Sequence, residues 1–400
     1  MKKSISLVIA AMMIIGSSLF AQEPEKKETK GFVFTDVISI PNTSVKNQYK
    51  SGTCWSFSGI AFVEAELLKS TGKEYDLSEM FCVYHTYSDK AKKYVRMNGN
   101  IKFGSGAEGA DVFRVIKEYG MVPDVVCTGL NYGEENHMHG ELDEVLKAYV
   151  DAIIQNKNKK LTPVWHEGFD KVLATYLGEL PETFTYEGKE YTPQTFRDMT
   201  GFNVDNYLEL TSYTDHPFYT DYALEIPDNW LWDKSWNVPL DEMMAIIDNA
   251  LENGYTVNWG ADVSDKGFSW KNGVAIIPLQ EKNDLSGSEK EKWEALTPKE
   301  KQDAIYSFDG PVKEVTVTQE MRQQHYDNYL VTDDHGMLIV GTATDQNGNK
   351  YYKVKNSWGV DGHIYEGYFY ASAAYVQLQT IGIAVNKKAI PAPILKKLGM

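Results

Sequence analysis

The spacing of apolar residues along this chain changes from a helical period in its first half to a strand period near its end. Apolar residues recur three or four positions apart from Cys54 to about Ser70 and from Ala110 to Tyr119. Short apolar or alternating runs then follow at 255–262, 336–341, 351–356, 365–370 and 381–385. Residues three or four apart share a helix face, whereas alternate residues share a strand face. The pattern predicts an α+β protein with a helical half before a β-rich half.

Local signals set the ends of several elements. Ser78 is placed as the N-cap of a second helix, and Gly120 with Pro123 ends the helix that begins near Ala110. Further helices are predicted at 142–156 and 241–252, and a densely charged excursion at 281–303. The sequence Asp345-Gln-Asn-Gly348 predicts a hairpin turn.

These elements divide the chain into six segments. The predicted organisation is a signal peptide at 1–21, a charged linker at 22–32, a helical lobe at 33–135, a mostly helical, aromatic-rich insertion at 136–250, a β-rich lobe at 251–388 and a C-terminal arm at 389–400. A mature chain of this length can bury a large core and still carry an elaborated insertion.

The N-terminus predicts export. Lys2 and Lys3 precede an apolar run from Ile5 to Ile15, and small residues then lead to Ala21. The run is too short for a membrane span, and its flanks are those of a secretory signal peptide. We expect cleavage after Ala21 and a secreted or periplasmic protein. Retention as an uncleaved anchor is the alternative.

The chain is acidic, with a formal net charge of −16 that becomes −18 once Lys2 and Lys3 are removed. Such a surface repels nucleic acid and anionic membranes, so neither is expected as a partner. Cationic peptides would be attracted at long range. The alternative is that the acidity serves solubility alone.

The candidate nucleophile is Cys54, which follows Gly52 and opens a helix. The unpaired N–H groups at a helix N-terminus stabilise a thiolate, the form of cysteine that attacks carbonyl groups. Attack on an amide creates an oxyanion that needs two hydrogen-bond donors. The carboxamide of Gln48, six residues upstream, and the Cys54 backbone N–H are the natural pair.

The partners that a thiol needs lie far downstream. His335 begins an apolar strand, and Asn356 lies in the sequence Lys355-Asn-Ser-Trp358-Gly. A lone cysteine is more often a small buried apolar residue, and a lone histidine is usually structural. All four residues in the order Gln, Cys, His, Asn indicate a cysteine peptidase.

Other candidate groups predict no metal ion or organic cofactor. Cys82 and Cys127 could form a disulfide in an oxidising compartment or remain buried free thiols. His137 and His139 lie two residues apart in an acidic loop with no third ligand at a recognisable spacing, so we expect them to be exposed to solvent. The glycine-rich loop at 104–109 would let a peptide backbone lie close, or it is a plain flexible loop.

The blocks SGTCWSFSG, DDHGMLIVG and KVKNSWG resemble the bleomycin hydrolase and bacterial aminopeptidase C branch of the papain-like clan. The resemblance covers nearly all of residues 33–388. It implies a papain-like two-lobed fold with a helical lobe that carries the cysteine. A β-barrel-like lobe would carry the histidine and asparagine, and the active site would lie in the cleft between them.

The roles that follow are those of a cysteine protease. His335 takes the Cys54 proton and forms a thiolate–imidazolium pair, with the thiol pKa lowered to roughly 3.5–7.5. Asn356 orients the imidazole ring, and Trp358 covers the hydrogen bond between them. Gln48 and the Cys54 amide stabilise the oxyanion, and water then hydrolyses the thioester.

The resemblance also implies a C-terminal arm in the cleft, whose terminal carboxylate reads the substrate's free amine, and a homo-oligomer of six subunits. Pro391 and Pro393 favour an extended arm, although a disordered tail is equally compatible. Lys396 and Lys397 depart from the family pattern near the chain end, and Gly336 follows the histidine where alanine is commoner.

Four functions share these residues. The chain is expected to be an exported aminopeptidase that trims peptides from their N-termini. The alternatives are an endopeptidase with an open cleft, a catalytically silent peptide-binding protein of the same fold, and an acyl transferase.

Overall fold

The computed structural model describes residues 31–158, 160–280 and 286–400. The predicted signal peptide at 1–21 lies outside the described residues, as does the linker up to residue 30. Within the described parts of the chain, no helix combines the length and the apolar character needed to cross a membrane.

The helices of the described residues fall mainly in the first two thirds of the chain. They are α1 Cys54–Thr71, α2 Glu79–Arg96, α3 Gly109–Tyr119, α4 Gly140–Ile154, α5 Val164–Leu177, α6 Pro193–Thr200, α7 Leu240–Glu252, α8 Gly287–Ala295, α9 Pro298–Ile305, α10 Gln319–Asp327, α11 Ala373–Gln379 and α12 Ala392–Lys397. Single 3-10 turns lie at Asp124–Val126, Val204–Asn206 and Lys387–Ala389.

The strands are β1 Thr35–Ser39, β2 Phe184–Tyr186, β3 Lys189–Tyr191, β4 Tyr207–Thr211, β5 Asp221–Ala223, β6 Lys234–Asn237, β7 Val257–Ala261, β8 Phe268–Ser269, β9 Val274–Ala275, β10 His335–Thr344, β11 Lys350–Lys355, β12 Tyr368–Ser372 and β13 Thr380–Asn386. Except for the β2–β3 hairpin, they form one 11-stranded sheet in the order β5-β6-β4-β13-β7-β10-β11-β12-β9-β8, with β1 also paired to β10. The predicted α+β class is confirmed.

The predicted local signals agree with the structure. The Ser78 hydroxyl accepts the Phe81 N–H at 3.0 Å and caps α2. Gly120 ends α3, and the turn that joins β10 to β11 is closed by a 3.0 Å hydrogen bond from Gly348 N–H to the Asp345 carbonyl. These features depend only on neighbouring residues, so the sequence suffices to predict them.

Helix α1 is the central element between two cores. Nearly all of its side chains from Trp55 to Leu67 are buried, because the helix lies between the other helices and the sheet. One core lies among α1 to α6 and includes Phe81, Val112 and Phe169. The other lies around β7, β10 and α7. The two cores give the two lobes that the sequence predicts.

The sheet differs from the prediction in two respects. The segment 136–250, expected to be mostly helical, supplies β4, β5 and β6, and β4 pairs with β13. Short strands of three to five residues within an aromatic-rich stretch give little periodic signal, so tertiary pairing decides them. The β-rich lobe is also an open sheet and not a closed barrel over the described residues, since β5 and β8 are its two end strands.

The charged excursion predicted at 281–303 is helical where it is described, over α8 and most of α9. Most of its side chains are exposed. Its first five residues lie outside the described part of the chain.

The prediction of an extended C-terminal arm in the cleft is wrong. After β13 the chain turns through Lys387–Ala389 into α12, with Pro391 as the N-cap of that helix and Pro393 in its first turn. Ile394 and Leu398 are buried in the core beside α7, and Lys397 pairs with Glu242 on that helix. The apolar side chains of the tail therefore bind the outer face of the sheet lobe.

This packing predicts that the tail contributes to stability. Leu398→Ala should lower the free energy of unfolding by about 2–5 kcal/mol, because a side chain that is only 4% exposed would leave a cavity. Denaturant unfolding measures the change, and Met400→Ala, at an exposed position, is the control. An unchanged Leu398→Ala midpoint would contradict the docked tail.

Candidate active site

A cleft with about 450 Å³ of space lies between the two lobes. Its walls include Gln48 and Cys54 from the helical side, and His335 and Trp358 from the sheet side. The structure therefore brings together residues that lie far apart in the sequence. Asn356 lies immediately behind this wall and is buried.

Contact between the first turn of α1 and the start of β10 places Cys54 beside His335. A methyl group built on Gly336 would lie 2.6 Å from Ser58 Oγ and 3.2 Å from Trp55 Cα. A side chain here would force Ser58 Oγ to move and would crowd the Trp55 backbone, so glycine allows the closest approach of the strand to the helix. The glycine that departs from the family pattern thus fits the local packing of this chain.

His335 and Asn356 are joined by a short hydrogen bond. His335 Nε2 lies 2.7 Å from Asn356 Oδ1, which also accepts the Ser357 N–H at 2.8 Å. Because Nε2 is held in this way, Nδ1 is the nitrogen left to exchange a proton with the thiol. The ring of Trp358 packs over the imidazole with centroids 4.8 Å apart, which shields the hydrogen bond from water.

Gln48 is held by two partners. Its Oε1 accepts the Ser357 hydroxyl at 2.6 Å, and its Nε2 donates to the Ser51 carbonyl at 2.9 Å. An amide nitrogen carries two hydrogens, so one N–H is still available toward the cleft. Cys54 is the first residue of α1, and its own N–H has no acceptor within the helix.

Burial keeps the thiol and the imidazole neutral. Burial raises the pKa of Cys54 to about 12; the Gly336 N–H opposes the rise, and the charges of Asp333 and Asp228 add to it. Burial lowers the pKa of His335 to about 4, against the hydrogen bond to Asn356. The predicted lowering of the thiol pKa is therefore wrong for the empty cleft. Desolvation and two carboxylates outweigh the helix N-terminus.

Several further residues shape the cleft without having been predicted from the sequence. Ser357 anchors Gln48, and Trp55 Nε1 donates to the Ser105 carbonyl at 2.9 Å and so fixes the glycine-rich loop. That loop lines the cleft, as the peptide-binding alternative requires. Glu108 and Asp333 also line it. Both lie inside motifs whose glycines and histidine give the stronger sequence signal.

The other candidate groups lie elsewhere. His139 is fully buried, which makes its predicted exposure wrong, because the loop folds back against Tyr132 and Phe57. Burial lowers the pKa of His137 and of His139 to about 4. Cys82 and Cys127 are buried free thiols. Among the described residues, no group of three or more His, Cys, Asp or Glu side chains is arranged to hold a metal ion.

Comparison with known families agrees with this geometry. The profile of the Peptidase C1-like family matches residues 110–299 and 300–400, and that of the papain family cysteine proteases matches residues 36–103. The chain belongs to the Peptidase C1-like family. The papain-like cysteine peptidase predicted from the motif blocks is confirmed.

Relatives of this Peptidase C1-like chain include several aminopeptidases. Aminopeptidase C of Lactobacillus delbrueckii subsp. lactis is 21% identical, over 90% of this chain and 83% of the relative. Aminopeptidase W of the same organism is 24% identical, over 90% and 85%. Aminopeptidase C of Listeria monocytogenes is 23% identical, over 97% and 89%.

A solved structure gives the same fold. The pepw protein from Lactobacillus rhamnosis superimposes with a TM-score of 0.66 at 19% identity, covering 91% of this chain and 84% of its own. The fold is therefore shared over 91% of this Peptidase C1-like chain.

The helix–strand contact gives a first prediction for the site. Gly336→Ala should lower the melting temperature and slow alkylation of Cys54, because the new methyl group overlaps Ser58 Oγ. The double variant Gly336→Ala/Ser58→Ala should recover part of both losses. Gly260→Ala is the matched control on the neighbouring strand, where a methyl group would lie 3.7 Å from the Gly382 carbonyl oxygen. Equal effects at both glycines would contradict the role of the close contact.

The neutral thiol gives a second prediction. Alkylation of Cys54 by iodoacetamide should rise about tenfold per pH unit between pH 7 and pH 9, because a thiol with pKa of about 12 gains thiolate throughout that range. The label is quantified by mass spectrometry of the Cys54 peptide, with Cys54→Ala as the blank. A rate that stays level from pH 5 to pH 8 would instead indicate a preformed thiolate–imidazolium pair.

Proposed function

We propose that this chain is an exported cysteine aminopeptidase that acts through Cys54, His335 and Asn356. The observation that carries the proposal is the 2.7 Å hydrogen bond between His335 Nε2 and Asn356 Oδ1. It lies where β10 packs against the first turn of α1, which contains Cys54. This arrangement supplies a nucleophile, a base and a group that orients the base. The aminopeptidase relatives support the same reaction class.

The reaction begins from the neutral pair. The Cys54 thiol gives its proton to His335 Nδ1 as the sulfur attacks the carbonyl carbon of the scissile bond. The resulting oxyanion takes hydrogen bonds from the free N–H of Gln48 and from the Cys54 N–H. The Asn356 oxygen and the Trp358 ring hold the imidazolium in place.

Two further proton transfers complete turnover. His335 returns its proton to the leaving amine as the carbon–nitrogen bond breaks, which leaves a thioester on Cys54. Water then attacks the thioester and gives a proton to His335, and collapse of the second oxyanion releases the acid and restores the thiol. The residues of the chain suffice for each step, so the mechanism uses no cofactor.

An endopeptidase remains the second candidate because one observation favours it. No residue between Val385 and Met400 lines the cleft, so the tail leaves it open. A silent peptide-binding protein is less favoured, since nothing in that function requires the hydrogen bond between His335 and Asn356.

The homo-oligomer implied by the family resemblance and the export predicted from residues 1–21 are part of the proposal. The substrates are peptides, and no nucleic acid or membrane partner is expected.

Cleavage mapping tests this function. The enzyme is given one peptide with a free and with an acetylated N-terminus, and the products are identified by mass spectrometry. We expect stepwise loss from the free amine and little cleavage of the acetylated form. Internal cuts in both forms would favour the endopeptidase.

The matched variants identify the nucleophile. Cys54→Ala should lose all turnover and keep its fold, because the remaining groups have no nucleophile to activate. Cys82→Ala removes a buried thiol outside the cleft and should keep turnover. Turnover by Cys54→Ala would contradict the proposed mechanism.

A further inference from the structure

The cleft contains carboxylates that take no part in the proposed reaction. Glu108 precedes α3, Asp228 lies in the turn before β6, and Asp333 precedes β10. All three line the same cavity as Cys54. They come from three separate segments of both lobes, so the fold brings them together at this point.

These carboxylates are held together without enough cations to neutralise them. Burial and the neighbouring Asp333 raise the pKa of Glu108 well above its usual range, and burial raises the pKa of Asp333 to about 7. The two side chains hydrogen-bond to each other and can share a proton. Asp228 pairs with Lys102 at 2.7 Å. Glu209 and Asp334 add two more carboxyls to the cavity wall; burial raises the pKa of Glu209 to about 8, and Asp334 accepts the Val263 N–H at 3.1 Å.

Several polar atoms in this part of the cleft lack a partner. Glu108 Oε1 and Asp333 Oδ2 are buried and accept no hydrogen bond from the N–H and O–H groups of the described residues, apart from the proton that the two carboxyl groups can share. Independently, Asn258 on β7 is only 5% exposed and lines the cleft, and its Nδ2 has no partner in the described chain. Its amide faces Gly109, next to Glu108. A buried donor without a partner beside buried acceptors is the arrangement expected of a ligand site.

We propose that Glu108, Asp228 and Asp333 bind the α-ammonium group of the substrate, and thereby make the free N-terminus the feature that this cleft reads. An ammonium group has three N–H donors and can take the place of the proton that Glu108 and Asp333 share. The Asn258 N–H then donates to a carbonyl oxygen of the same peptide. The assignment rests on the proposed peptidase function. It gives the cleft wall the role that the family resemblance assigns to the C-terminal carboxylate, which is to bind the free amine of the substrate.

The same contact would make the thiol more reactive. The charges of Asp333 and Asp228 raise the pKa of Cys54, so they oppose thiolate formation in the empty cleft. A bound ammonium group neutralises them and removes that opposition. A peptide with a blocked amine leaves the carboxylates unpaired. The blocked peptide should therefore show a lower kcat as well as a higher KM than the peptide with a free amine.

The test measures kcat and KM on alanyl and alanyl-alanyl aminomethylcoumarin, each with a free and an acetylated amine. Asp333→Asn and Glu108→Gln keep the shapes of their side chains and remove one charge each. We expect either change to raise KM for the free-amine substrates about 10- to 100-fold, the loss typical of a charge-assisted contact. The acetylated substrates should keep their KM, and Asp333→Asn should raise their kcat, because it removes one of the charges that raise the pKa of Cys54.

Glu252→Gln is the matched control, because it removes one charge from the exposed end of α7, outside the cleft. It should leave every constant unchanged. Binding of a free-amine peptide to the Cys54→Ala enzyme, with and without Asp333→Asn, gives a second measurement that needs no turnover. An equal ratio of free to acetylated activity in Asp333→Asn and in the unchanged enzyme would overturn the proposal.

Two further outcomes separate the possible failures. If the unchanged enzyme cuts acetylated peptides with lysine next to the cleaved residue, and Asp333→Asn abolishes that preference, the site reads a lysine side chain and the N-terminal assignment is wrong. If the unchanged enzyme has no preference for a free amine, the aminopeptidase function itself fails. If that preference exists and survives both variants, only the ammonium site fails.

Discussion

The close approach of β10 to the first turn of α1 is the constraint on which the rest of the site depends. Gly336 lies against Ser58 and Trp55, and this contact sets the position of His335 next to Cys54. The pairing of His335 with Ala261 on β7, and of β10 with β11, then fixes the direction in which the imidazole faces Asn356. A helix buried between two cores makes a rigid base for such an arrangement, because neither partner can move without disturbing its own core.

The features of the fold and the site that could be predicted from the sequence are those whose signal lies within a few neighbouring residues. The helical period after Cys54, the Ser78 cap and the Asp345–Gly348 turn each lie within a few residues, and the structure has all three. The order of Gln48, Cys54, His335 and Asn356 could also be predicted, because each of these residues lies in a short recognisable block of sequence. The strands β4 to β6 were not predicted, because they form through pairing with β13 and with one another and carry little periodic signal of their own.

Two other errors have the same origin in tertiary packing. Pro391 and Pro393 favour an extended arm in the sequence, yet proline also fits the N-cap and the first turn of a helix once Ile394 and Leu398 have a core to enter. The low thiol pKa was predicted from the helix N-terminus and from pairing with His335. The sequence gives no measure of how far Cys54 is removed from water or how near Asp333 and Asp228 lie, and these decide the direction of the shift.

A neutral thiol also has consequences for the chemical lifetime of the protein. Peroxides oxidise thiolates and react slowly with thiols, so a cysteine whose pKa burial raises to about 12 resists conversion to sulfenic acid while the cleft is empty. Cys82 and Cys127 are buried thiols whose pKa values are likewise raised by burial. The raised thiol pKa would therefore slow oxidation of the nucleophile between encounters with substrate.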